Sequence, residues 1–341
     1  MAFKGWTDQL AIDAWLEYLD VAKNRSDRTR EAYLLAMRRL QEFMEPASIL
    51  GASPAELEAF CGMWLNQRDV LALSRKPYVS AVRGFYRWAQ AKGVIELNPS
   101  LQVEYPKTGK RLPNTITLAN AERLLCAPNL ATFRGMRDAA ILHVLVGCGL
   151  RISGLVNLNE GDLQQQQIDG EVRMALITLE KGDKERLVPV PREAAAILRV
   201  YLAHEDLAKI DRDVKGRDGR PDRVLFIGTR NSTVTADRFR GEERRMTRQT
   251  VHRMLQRYGQ PLGIPDAQLH PHAMRHLYGT RLTEGGASSL VVQELMGHDN
   301  IRSTAIYTAL AVEMKTRVVD ANSPLSRMNT PISELLKRLP R

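Results

Sequence analysis

At 341 residues the chain is long enough for about two domains, and 44% hydrophobic residues allow each a core. A formal charge of +10 favours a polyanionic partner, with an ordinary soluble basic protein as the plain alternative. No apolar run reaches the roughly 18 residues of a membrane span, the start MAFKGWTDQL lacks the apolar stretch of a signal peptide, and Cys61, Cys126 and Cys148 form no CxxC pair, which argues against a zinc site or a disulfide framework and for a reducing cytoplasm.

Residues 9–22 carry Ile12, Trp15, Leu16 and Leu19 at helical spacing. Ser26 or Asp27 is placed to cap a second helix with Tyr33, Met37, Leu40 and Phe43 on one face. Ser53-Pro54 opens a third, since proline suits a first helical turn. A fourth helix is expected over 74–92, with Val79, Val82, Phe85, Tyr86 and Ala89 turned inward and Arg75, Lys76, Arg83 and Arg87 on the other face. Each arginine alone fits a solvated face; together they fit a surface that follows phosphates. Residues 103–116, VEYPKTGKRLPNTI, read as a basic linker with Lys107, Lys110 and Arg111, suited to lying along a nucleic-acid backbone.

Beyond the linker a short helix (118–125) precedes a nearly all-apolar one (137–146) that ends at Gly147 and Gly149. Arg151 follows at once, at the head of another helix, where it needs either a structural ion pair or an anionic ligand. Residues 172–190 switch to strand character, a hairpin with Lys181 at its turn. A helix follows over 193–204, then a charged segment, 209–223, expected to be a flexible surface loop, and a short strand over 224–227. Thr247 caps a helix with Val251, Met254, Leu255 and Tyr258. Pro271 opens the next, Ser288 or Ser289 caps the one after, and Gly297 ends it.

The stretch 270–307 concentrates the chemistry. His270, His272, Arg275 and His276 lie within seven positions, with His298 and Tyr307 further on and no acid among the first four. Histidine and arginine without a carboxylate make a poor metal site and a good anion site, because a guanidinium fork matches phosphate oxygens. His272 and Arg275, three apart, share a helix face. A tyrosine beside such a cluster is a candidate nucleophile toward phosphorus.

With these blocks in order, the chain resembles the tyrosine recombinase (phage integrase) family. The resemblance rests on Gly149-Leu150-Arg151-Ile152-Ser153, the hairpin from Glu180 to Arg186, His270-Pro271-His272-Ala273-Met274-Arg275-His276, Met296-Gly297-His298 and Ile306-Tyr307-Thr308, and it runs from about residue 9 to 313. It implies a mainly α fold with a small β-sheet: a helical, SAM-like core-DNA-binding domain (1–102), the linker (103–116), a mixed α/β catalytic domain (117–314) and a tail (315–341) whose helix docks on its own domain or, as is favoured, on a neighbouring protomer, the whole forming a clamp around DNA. It implies Tyr307 as nucleophile, Arg151 and Arg275 on the non-bridging oxygens, His272 moving the tyrosine proton or bonding the phosphate, Lys181 as acid for the 5′-oxygen and His298 as a further phosphate donor. No metal, nucleotide or other cofactor is expected. The implied partners are double-stranded DNA with inverted-repeat core sites, further copies of the chain (a dimer per site and a tetramer on paired sites) and accessory factors. The implied location is the bacterial cytoplasm, at the nucleoid, and no arm-binding domain is expected before residue 9. One position departs: the family commonly has an acid three residues after the first arginine, and here that residue is Gly154.

Three alternatives stand beside this expectation. A metal-dependent hydrolase would use the histidines as ligands, but Arg275 in their midst repels a cation. A DNA-binding protein of the same fold without catalysis would use the same basic surfaces. A type IB topoisomerase would share the tyrosine chemistry.

Overall fold

The computed structural model describes residues 5–23, 27–107, 114–168, 170–179, 185–229, 234–297 and 308–338. The chain divides into two units, Met1–Arg111 and Leu112–Arg341, and the division falls inside the segment read as a linker.

The first unit is helical: α1 (Asp8–Val21), α2 (Asp27–Met44), α3 (Pro54–Ala59), α4 (Leu65–Gln67) and α5 (Ala72–Ala91). Thr7 caps α1, its side chain accepting from the Leu10 amide at 3.2 Å. Ser53 and Glu56 form a reciprocal capping box at α3. A single π-helical turn, Phe60–Trp64, carries α3 into α4. The apolar faces meet in a core of Ile12, Trp15, Met37, Leu40, Phe60, Val79, Val82, Phe85 and Tyr86. Trp15 stacks on Tyr33 with centroids 5.5 Å apart, and the Tyr86 hydroxyl donates to Ile49 O at 2.6 Å. The inward set expected of α5 is all buried.

The second unit is built around α7 (Phe133–Cys148), preceded by α6 (Leu118–Cys126) and followed by α8 (Ile152–Val156). Every residue of α7 from Arg137 to Cys148 is buried, so its apolar run is a central core helix. Its one buried carboxylate, Asp138, is held by Arg137, Arg257 and the Tyr258 hydroxyl. Next comes an antiparallel sheet in the order β1 (Leu163–Ile168), β2 (Glu171–Leu179), β3 (Glu185–Pro189). Two of these strands are the expected hairpin. The third, LQQQQI, gives no hydrophobic alternation, and its pairing from Leu163↔Leu176 to Ile168↔Glu171 supplies what its side chains do not announce.

Then follow α9 (Arg192–Leu202) and α10 (Glu205–Ala208). The segment expected to be a flexible loop, 209–223, instead contains a small hairpin, β4 (Asp213–Lys215) with β5 (Pro221–Arg223). Arg212 fastens it, buried, by donating to Val224 O at 3.0 Å and to Glu160 at 2.6 Å. Residues 224–227 are buried but make only isolated bridges, Asn159↔Val224 and Ile227↔Arg245, rather than the expected strand.

The remaining helices are α11 (Arg248–Gly259), α12 (Pro271–Glu284), α13 (Ser289–Met296), α14 (Thr308–Asn322) and α15 (Pro331–Arg338). Thr247 caps α11 and Ser288 caps α13, as their positions predict. Residues 320–332 are seated on their own unit. Leu325, Met328 and Ile332 belong to the main core, Arg173 pairs with Asp320, and the Asn329 amide donates to Glu122 at 3.0 Å. A Cβ at Gly147 would lie 2.7 Å from Leu325, so the absence of a side chain there lets the tail close on α7.

Ile332 is 5% exposed, so Ile332→Ala is expected to cost about 2–4 kcal/mol, read as a fall in the urea midpoint at unchanged slope. Burial pushes the His143 imidazole down to about 4 from 6.5. Between those pH values the unfolded chain binds a proton there that the folded chain does not, so stability is complete above 6.5 and declines as pH falls toward 4. The expected loss is on the order of a few kcal/mol over that window, and His143→Leu should flatten the unfolding free energy against pH.

Candidate active site

Gly149 ends α7 in the left-handed region at φ 58°, and a Cβ there would lie 2.3 Å from the Tyr278 ring. The turn it makes delivers Arg151 to the N-cap position of α8, half-buried. Gly297 ends α13 in the same way at φ 61°. Between these two turns lies α12, started by Pro271 and capped by His270, whose Nδ1 accepts from the Ala273 amide at 3.1 Å. His270 is thus a structural cap. His272 and His276 are exposed on α12, and Arg275 is buried at 6% exposure.

The last carbonyls of a helix have no intrahelical donor and carry the negative end of its dipole. At α13 three guanidiniums take them in succession. Arg186 donates to Leu295 O, Arg275 to Met296 O and Arg151 to Gly297 O at 2.8 Å. Arg275 also donates to Gly149 O at 2.7 Å, joining the two glycine turns.

Carbonyl dipoles offset only part of this crowding. Burial, with the charges of Arg151 and Arg186, brings Arg275 down to about 9. Burial is also the main cause of a drop to about 10 at Arg186, with Arg151 adding to it. Partial desolvation of its otherwise exposed ring and the charge of Arg275 hold His272 below its ordinary value. The site therefore offers concentrated positive potential and an imidazole biased toward its neutral form, a setting for a phosphate and for a proton acceptor beside it.

The structure brings Arg151 and Arg275 together on adjacent carbonyls. Lys181, His298 and Tyr307 lie outside the described residues. Arg186 was missed as a site residue: it stands at the end of the quoted hairpin block, but nothing local distinguishes it from a solvated strand arginine. Among the described residues no cluster of histidine, cysteine or acidic side chains suits a metal ion.

Gly154, where the resemblance expects an acid, has no room for one. Its Cβ position is 2.4 Å from Thr178 Oγ1 on β2. Thr178 is buried, its hydroxyl has no hydrogen-bond partner among the described residues, and it pairs across the ladder with Arg186.

In the first unit, Arg83 and Arg87 share an open hollow of about 740 Å³ with Lys23, Lys92 and aromatic rings of Trp15 and Tyr33. Arg83 is braced there, donating to Val103 O at 3.2 Å with its guanidinium 5.6 Å from the Tyr105 ring centroid. Arg75 is not part of that hollow: it donates to Gly62 O at 2.9 Å and lines another with Glu58 and Glu104. Lys76 is half-buried and Lys107 exposed; Lys110 and Arg111 lie outside the described residues.

Residues 114–314 match the Phage integrase family, and residues 12–93 match the Phage integrase, N-terminal SAM-like domain. The chain belongs to the phage integrase family of tyrosine recombinases. This recombinase is 35% identical over 304 residues to "Tyrosine recombinase XerD" of Pseudomonas aeruginosa, covering 88% of this chain and 92% of that one. It is 30% identical over 330 residues to "Tyrosine recombinase XerC" of Proteus mirabilis, covering 94% and 96%. Its fold is similar to that of the XerH site-specific recombinase bound to palindromic difH substrate (TM-score 0.64, 15% identity, 98% and 85% coverage). It is also similar to a lambda integrase dimer bound to a COC′ core site (TM-score 0.61, 16% identity, 88% and 100% coverage). As a tyrosine recombinase it is an enzyme that cleaves and rejoins DNA in site-specific recombination.

The tight packing at Gly154 in the recombinase has a measurable cost. Gly154→Ala is expected to lower stability by about 1–3 kcal/mol. Adding Thr178→Ala should recover part of it, read as non-additivity in thermal unfolding of the single and double variants.

Proposed function

We propose that this recombinase cleaves one DNA strand at a time with Tyr307, forming a 3′-phosphotyrosyl link and freeing a 5′-hydroxyl, and exchanges strands through a Holliday junction. The observation that carries this reading is the convergence of Arg151 and Arg275 on the last turn of α13, two residues before position 298 and eleven before 307. Their charges suit the two non-bridging oxygens, whose negative charge is greatest in the pentacoordinate transition state.

A phenol of ordinary pKa near 10 is a poor nucleophile at pH 7. Neutral His272 takes its proton as the Tyr307 oxygen attacks phosphorus. The bond to the 5′-oxygen breaks as Lys181 protonates it, and His298 adds a donor to the phosphate. The phosphodiester energy stays in the covalent link, so rejoining is the same path reversed with the incoming 5′-hydroxyl as nucleophile. Neither a metal nor a nucleotide is required by these steps.

The proposed substrate is double-stranded DNA with inverted-repeat core sites, gripped by both units as a clamp, with Arg83, Arg87 and the basic residues 107–111 on the backbone. A dimer per site and a tetramer on paired sites fit this chemistry, since each strand exchange needs paired cuts. In such an assembly the α15 segment would trade its own seat for one on a neighbouring protomer. Accessory factors would select the outcome, which is integration or excision of a mobile element or resolution of replicon dimers, at the nucleoid of a bacterial cytoplasm.

A nicked suicide duplex, selected from a random library by covalent capture on the wild-type protein, tests the chemistry. Wild type should trap DNA and Tyr307→Phe should trap none. Arg151→Ala and Arg275→Ala should each slow adduct formation by about 100-fold or more while retaining most DNA affinity. Binding without any adduct would favour a non-catalytic DNA-binding protein of this fold, and rapid relaxation of supercoils at unrelated sequences would favour topoisomerase activity.

A further inference from the structure

Arg186 is the one guanidinium on the last turn of α13 that the proposed chemistry leaves without a task. Three elements far apart in sequence send a cation to that turn: β3 sends Arg186 to Leu295 O, α12 sends Arg275 to Met296 O, and the head of α8 sends Arg151 to Gly297 O. The carbonyls are consecutive, two on the last turn of the helix and the third on the glycine that ends it, so the helix end is their shared support. Leu295 is fully buried, which leaves its carbonyl poorly placed to find water if Arg186 is removed.

The support has a second contact. Thr178 faces Arg186 across the β2–β3 ladder, and its Oγ1 lies 2.4 Å from the Cβ position of Gly154, three residues beyond Arg151. The strand pair bearing Arg186 is therefore pressed against the turn bearing Arg151.

We infer that Arg186 is a positioning residue for the cleavage reaction: by fastening β3 to Leu295 O it fixes the α13 turn on which Arg151 and Arg275 are aligned for the scissile phosphate. This rests on the proposed tyrosine chemistry and assigns Arg186 no contact with DNA. Losing it should displace the arginine pair slightly, and displacements of about 1 Å can cost roughly 100-fold in rate. Arg186→Lys keeps a cationic donor of similar reach and should restore part of what Arg186→Met loses.

The test uses the full chain and the nicked duplex captured by the wild-type protein, read as adduct rate and, separately, as equilibrium affinity. Arg186→Met is expected to slow adduct formation by about 10- to 100-fold, with affinity within about threefold of wild type, and Arg186→Lys to lie between. A duplex with a neutral methylphosphonate at the scissile position needs less cationic stabilisation. On it the Arg186→Met penalty should shrink, as the Arg151→Ala penalty should, whereas a general folding defect would slow both duplexes alike.

An Arg186→Met rate equal to wild type, a loss of affinity matching the loss of rate, or an equal penalty on both duplexes would overturn the inference. If Arg186→Met does not fold, Arg186→Lys against Arg186→Gln gives the comparison: Lys faster than Gln at equal affinity supports it, and equal rates sink it. A wild-type protein that traps no DNA on Tyr307 strikes the proposed chemistry instead, so the two failures are distinct.

Discussion

A helix that ends in a left-handed glycine exposes carbonyls it cannot satisfy itself, and the second unit of this recombinase is arranged around one such end. Gly297 turns the chain away at the close of α13, and three guanidiniums meet the carbonyls left behind. The balance is electrostatic. Burial, with the repulsion of like charges drawn this close, brings Arg275 down to about 9. The carbonyl dipoles supply enough compensation for the cluster to form, and less than a full anion would. An arginine pair already held in place yet still short of negative charge suits an anion such as a phosphate.

The first unit solves a different problem with similar residues. Its core is aromatic, with Trp15 on Tyr33 and Phe85 edge-on to Trp15, so the helices hold firm without long connections between them. Rigid rings also line the hollow that holds Arg83 and Arg87. An arginine braced by a carbonyl and a ring, as Arg83 is, loses less freedom on meeting a backbone phosphate than one hanging in solvent. Arg75 shows the limit of reading charge from a helical wheel: its guanidinium turns back to Gly62 O, and its hollow holds two glutamates.

What could be read in advance follows from where the controlling physics is local. Thr247, Ser288 and Ser53-Pro54 mark helix starts because a cap is made within four residues. The inward face of α5 was plain because apolar spacing states it directly. The strand β1 was not, because four glutamines carry no periodicity and the strand exists by virtue of its partner. The hairpin within 209–223 depends on Arg212 reaching Glu160, a contact across some fifty residues. The same holds at the site. Arg151 and Arg275 announce themselves by their motifs, whereas Arg186 gains meaning only when α13 arrives over a hundred residues later to meet it.

The seating of Leu325, Met328 and Ile332 in the main core also bears on how the protein is made. A nascent chain that has reached residue 300 already holds both arginine motifs and the hairpin, yet the face of α7 at Gly147 still lacks the leucine that covers it. The core of the second unit closes only after residue 332 has cleared the ribosome. Synthesis order thus puts the completion of this core after both arginine motifs have been translated.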